Sequence, residues 1–130
     1  MHNATMYCLC LHNKVLPIIK KLNYIPVGLG NDNFSNEWLR DNTLENISSI
    51  NKYFSEYTFH YWFWKNILPT IKDNHWIGFC AYREYWGNKK KITTDSKIED
   101  IVLKEIPIEW EKFDTIIGEH RFINYLKFSK

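Results

Sequence analysis

A chain of 130 residues is long enough for one domain and one hydrophobic core without disulfide or metal staples. A net charge of +2, with 45% apolar and 25% charged residues, describes a globular protein too nearly balanced to carry a nucleic-acid footprint. Cys8, Cys10 and Cys80 lack metal-site spacing, no apolar run approaches the roughly 18 residues of a membrane span, and no leader pattern opens the chain, so a reduced, cytoplasmic setting is expected.

Residues 6–11 form a short apolar run suited to a buried strand. Residues 15–22, with Pro17 near the start, predict a short helix, and residues 24–28 a second strand. Pro26 places that strand at an edge or a strand end. Strand, helix, strand make a βαβ unit. Residues 28–46 are dense in Asn, Asp and Gly and read as one long loop, of the kind that in compact domains is usually either functional or disordered. After a cap at Ser48 or Ser49, Ile50, Tyr53, Phe54, Tyr57, Tyr61 and Trp64 recur at i, i+3, i+4 spacing until Pro69, which predicts one helix with these residues as its apolar stripe. Trp62 and Phe63 fall off that stripe, so the helix is expected to be covered on more than one face. Residues 76–82 predict a third strand, 97–104 a short helix and 114–117 a fourth strand, while the one tight basic run, residues 89–91, falls in a loop-like stretch.

Alternating strands and helices predict an α/β fold, Rossmann-like, with a mostly parallel sheet flanked by helices. Ligands of such sheets bind beyond the carboxyl ends of the strands, which points to residues 9–12, 28–30 and 81–86. The aromatic share of 17%, with six Trp and eight Tyr, fits either an aromatic-rich core or a half-wet cleft that stacks on a flat ligand or a sugar ring.

Three segments in order carry a resemblance: Asp41-Asn42-Thr43-Leu44-Glu45-Asn46-Ile47-Ser48, then Tyr61-Trp62-Phe63-Trp64-Lys65-Asn66 behind Glu56, then Trp76-Ile77-Gly78-Phe79-Cys80-Ala81-Tyr82-Arg83-Glu84-Tyr85-Trp86. They resemble the domain of unknown function found in bacterial capsular and exopolysaccharide glycosyltransferases, with its Asp-Asn-Thr-Gly-x-Asn-Ile-Ser loop, Glu-bearing helix ending in Trp-Lys-Asn and strand ending in His-Tyr-Arg-Arg. Leu44 stands where that family often has Gly, Ala81 where it often has His, and Glu84 where it often has the second Arg. The resemblance implies a GT-A-type fold and a hexosyltransferase-type enzyme that moves a sugar from a nucleotide-sugar donor to a glycan or glycolipid acceptor in polysaccharide biosynthesis. It also implies peripheral contact with the inner face of the membrane through that acceptor. The family's usual length exceeds this chain, so the chain is expected to be a truncated, donor-binding front portion without its acceptor-binding part.

A donor site must hold a base, satisfy ribose hydroxyls and stabilise a leaving diphosphate. Arg83 suits the diphosphate, because guanidinium offers a bidentate fork, with Lys65 as a second cation; the alternatives are a surface ion pair for Arg83 and a solvated helix end for Lys65. Asp41, Asn42 and Asn46 suit hydroxyl recognition, yet Asx residues equally build turns by bonding their own backbone. Glu56 enters as a site residue through the resemblance. Tyr82 and His12 lie at strand ends, where a ligand would pass. No residue is assigned to catalysis. Related GT-A enzymes hold a divalent metal through Asp-x-Asp, and this sequence has no such motif, so no cofactor is identified; Arg83 and Lys65 in place of a metal, or a divalent metal with a ligand from the missing part, are the two alternatives. Two other readings stand beside the enzyme: a noncatalytic carbohydrate- or partner-binding module that uses exposed aromatics, and a degenerate fragment.

Overall fold

A computed structural model describes residues 2–87 and 93–119. The basic run at 89–91 lies outside them. Its first unit is the expected one. Strand β1, His2–Cys10, leads through a 3-10 turn at Asn13–Val15 into helix α1, Leu16–Lys21, and on to strand β2, Ile25–Gly28. Pro17 sits in the first turn of α1, where its missing N–H costs nothing. The helix closes on Asn23, whose φ of 59° places it in the left-handed region. Tyr24 N–H then reaches Ile19 O and Asn23 N–H reaches Lys20 O, a Schellman arrangement that ends the helix and aims the chain into β2.

The stretch 28–46, read from the sequence as loop, contains strand β3, Leu39–Arg40. Two residues are too short for any periodic signal. The expected single helix is also broken. A 3-10 turn at Ser48–Ile50 leads into helix α2, Asn51–Phe54, and helix α3 runs from Tyr57 to Asn66. Between them Ser55 adopts φ 50°, ψ −128°, which no helix allows. A 3-10 turn at Leu68–Thr70 leads towards strand β4, Trp76–Ala81. The helix expected over 97–104 forms only as α4, Ile98–Ile101, followed by strand β5, Glu105–Ile106, and a 3-10 turn at Ile108–Trp110. Residues 114–117 form no strand; they have no pairing partner among the described residues.

The strand order is β3-β2-β1-β4, all parallel, with β5 antiparallel to the first residues of β1. The fold is therefore α/β with a mostly parallel sheet, in the strand order of one half of a doubly wound fold. β3 pairs only with Val27 and Gly28, so β2 is locally an edge at Pro26, as its missing donor requires.

Successive strand side chains point to opposite faces, and both faces of this sheet are covered. Met6, Cys8 and Cys10 pack with Ile19 and Leu22 on the α1 side, while Tyr7 and Leu9 pack with Phe59, Trp62 and Phe63 of α3. The buried face of α3 is thus Thr58, Phe59, Trp62 and Phe63. This reverses the expected stripe: Tyr53, Phe54, Tyr57 and Trp64 are each more than half exposed. With aromatics on every side, the helix gives no amphipathic contrast to read. No helix among the described residues is long and apolar enough to cross a membrane.

Candidate functional site

In a parallel sheet every strand ends at the same edge. Here that edge carries Leu11 and His12 after β1, Leu29 and Gly30 after β2, Asp41 after β3, and Tyr82 and Arg83 after β4. The chain leaves β1 for β2 on one side and places β4 on the other, so the gap between β1 and β4 is the topological switch point, where open α/β sheets bind ligands. Tyr82 N–H donates to Leu9 O at 3.1 Å and carries the β1–β4 ladder to its end. Its half-buried ring stands edge-on to His12, with centroids 5.8 Å apart, and the Arg83 guanidinium lies 5.2 Å over it. His12, Tyr82 and Arg83 are therefore brought together, with His12 and Arg83 exposed.

The neighbouring rim includes Asp32 and Arg40, which sequence reasoning passed over. Asp32 accepts backbone N–H bonds from Asn13 at 2.8 Å and Asn33 at 2.9 Å, which fastens the loop after β1 to the loop after β2. These two bonds hold its carboxyl below the usual range. Gly30, at φ 73°, turns the chain beside Leu11 and Asn51. Arg40 donates from Nη2 to Gly30 O at 2.7 Å, and its guanidinium lies 4.6 Å over the Phe34 ring. Its Nε is buried with no hydrogen-bond partner among the described residues.

The Asx cluster divides. Asp41 is 1% exposed, and its carboxylate accepts the Thr58 hydroxyl at 2.6 Å. Thr58 Oγ1 in turn accepts from Asn51 Nδ2 at 2.9 Å, and the same amide reaches Ser55 O at 2.8 Å. Asp41 is thus a strut between β3 and the start of α3, closed to a ligand. Asn46 accepts from Ser48 N–H at 3.2 Å and Ser48 Oγ at 2.8 Å while donating to Leu44 O at 2.9 Å, which is a turn built on its own backbone. Asn42 is exposed on the same loop. Leu44, in the place where the resemblance leads one to expect Gly, has φ 52°.

That loop is fastened along α3. Trp62 Nε1 donates to Thr43 O at 2.8 Å, and Asn66 Nδ2 donates to Glu45 O at 2.9 Å. Two of the three familiar segments therefore hold each other in place. Lys65 belongs to this scaffold: its Nζ lies 3.4 Å from Glu45 and 4.3 Å over the Trp64 ring. At 1.5 Å per residue it stands about 12 Å along α3 from the helix start, where Glu45 and the Trp64 ring hold it.

Glu56 does approach the third segment. It lines, with His60, Ala81, Glu84, Trp86 and Trp110, a cavity of about 850 Å³ beside the end of β4. His60 is half-buried, edge-on to Phe79 at 4.8 Å, and burial lowers its pKa against the smaller opposing pull of Glu56. Its i+4 spacing from Glu56 was the available sequence signal. Cys8 and Cys10 are buried by contrast. A hydrogen bond to Cys80 and burial raise the Cys8 thiol, and burial raises Cys10. Among the described residues no group of three or more His, Cys, Asp or Glu side chains is placed to hold a metal ion.

Residues 6–129 match the family model described as Domain of unknown function (DUF4422). No curated protein and no solved structure matches the chain.

Proposed function

The chain belongs to the DUF4422 family, and we propose that it is the donor-binding portion of a glycosyltransferase that moves a sugar from a nucleotide sugar to a glycan or glycolipid acceptor. The observation that carries this reading is the meeting of His12, Tyr82 and Arg83 at the switch point between β1 and β4. A nucleotide donor needs a flat surface for its base and positive charge for its diphosphate. Tyr82 supplies a ring with one edge in the protein. Arg83 supplies a planar fork that pairs two phosphate oxygens at once and neutralises charge that grows as the glycosidic bond breaks. Asn42 lies on the exposed loop beyond β3, within the set of groups that suit a sugar hydroxyl. On this reading the protein works in the cytoplasm, at the inner face of the membrane where a lipid-linked acceptor resides.

Calorimetric titration of the whole chain with nucleoside diphosphates and a panel of nucleotide sugars tests the proposal. Binding of at least one donor supports it, and no heat with any of them rejects it.

One observation favours a second reading. Tyr53, Phe54, Tyr57 and Trp64 expose 72%, 51%, 68% and 55% of their surface on the outer side of α2 and α3, a face suited to a noncatalytic carbohydrate- or partner-binding module. Oligosaccharide binding that Trp64→Ala abolishes, without any donor binding, selects it.

A further inference from the structure

The cavity beside β4 differs in chemistry from the switch point next to it. β4 closes one side of the sheet, and the chain after it folds back over that open edge: Glu84 N–H takes Ala81 O at 3.0 Å, and Trp86 Nε1 takes Phe79 O at 2.8 Å. Trp86 is thereby pinned against the strand. Trp110, from the 3-10 turn Ile108–Trp110, also lines the space, and the start of α3 adds Glu56 and His60. The space is an open cleft, and its volume of about 850 Å³ is within the range of small-molecule sites.

Its lining carries the carboxylates of Glu56, Glu84, Glu109 and Glu119 and, among the described residues, no Lys or Arg. Such a wall repels a diphosphate. It suits an uncharged polyol, because ionised carboxylates accept hydrogen bonds from hydroxyl groups in pairs and an indole ring packs against the apolar C–H face of a sugar. His60 adds an imidazole among the carboxylates, able to give or take a further hydroxyl bond.

We propose that this cavity is a binding site for a neutral sugar, with Glu56 and Glu109 as hydroxyl acceptors and Trp86 and Trp110 as the stacking walls. Calling that sugar the acceptor rests on the glycosyltransferase reading; the binding chemistry does not. Ala81 lines the cavity and Arg83 follows two residues later, so the backbones of these two residues lie at most about 7 Å apart.

Saturation-transfer NMR on the whole chain, with the methyl glycosides of glucose, galactose, mannose and N-acetylglucosamine as probes, tests the site. At least one glycoside is expected to receive saturation. Glu56→Gln and Trp110→Ala, each checked for folding by circular dichroism, are expected to weaken that glycoside about tenfold. Trp64→Ala on the outer face should leave it unchanged, and added uridine or guanosine diphosphate should not displace it. Absence of saturation for all four glycosides overturns the proposal, as does a signal that both cavity variants leave intact. Displacement by a nucleoside diphosphate also overturns it, because the cavity would then be the donor site. Glycoside binding with no nucleotide binding leaves this site standing and removes the donor reading instead.

Discussion

Thr58 donates its hydroxyl to the Asp41 carboxylate at 2.6 Å, and neither residue is more than 1% exposed. This bond joins the end of β3 to the first turn of α3, so it sets where Glu56 stands relative to the sheet. Thr58→Val keeps the shape and removes the donor, which leaves a buried carboxylate without its partner. The expected loss is about 1–3 kcal/mol of stability in urea unfolding. Asp41→Asn, whose amide oxygen still accepts the hydroxyl, should cost less. An equal or larger loss in Asp41→Asn would mean that the negative charge itself is what the site requires.

Ser55 sits at φ 50°, ψ −128°, and Leu44 at φ 52°, both in the left-handed half of the map. Only glycine occupies that region without strain. Ser55→Gly should raise stability by about 0.5–1 kcal/mol, after the extra chain entropy of the unfolded glycine is deducted. Leu44→Gly should do the same and also remove an exposed apolar side chain. A fall in the thermal midpoint of both variants would contradict the backbone assignment.

Phe59 is fully buried between Tyr7, Trp62, Phe63 and Phe79. Truncation to Ala removes the ring and leaves a cavity under the centre of the sheet, an expected cost of about 3–5 kcal/mol. Trp64→Ala, on the exposed side of the same helix, should change stability by no more than about 0.5 kcal/mol. The contrast between the two, read by denaturant unfolding, tests which face of α3 is the core face.

Burial lowers the His60 pKa below its ordinary value of 6.5. The unfolded chain therefore binds a proton at a pH where the folded one does not, and stability falls as pH drops below about 6.5. The thermal midpoint should decline between pH 7.5 and 5.5, and His60→Gln should flatten that decline. The Asp32 and Glu45 carboxyls, both held below their ordinary values, act in a separate acidic window, where protonation of either removes stability.

How much of this was legible in the sequence follows from local chemistry. The β1–α1–β2 unit announced itself through an apolar run and Pro17, and β4 through the run ending at Ala81. β3 did not, because Leu39 and Arg40 are a strand only through pairing with Val27 and Gly28. The break at Ser55 is held by side-chain bonds from Asn51, which no propensity encodes. The face of α3 was misread because Tyr57 and Trp64 look as apolar as Phe59 and Phe63. His12, Tyr82 and Arg83 lie just beyond β1 and β4, where the sequence placed them, because strand ends are predictable. Arg40 was missed because it lay within the stretch read as loop, and Asp41 was named for its loop position although tertiary packing makes it a strut.

The account rests most heavily on Arg83 as the group that meets a donor diphosphate, and calorimetric titration of the wild-type chain and Arg83→Ala with the tightest-binding nucleotide sugar tests it directly. The expected result is a roughly 10- to 100-fold loss of affinity in Arg83→Ala, with Lys65→Ala unchanged. Equal affinity in the wild type and Arg83→Ala would contradict the account and leave Arg83 as a surface cation stacked on Tyr82.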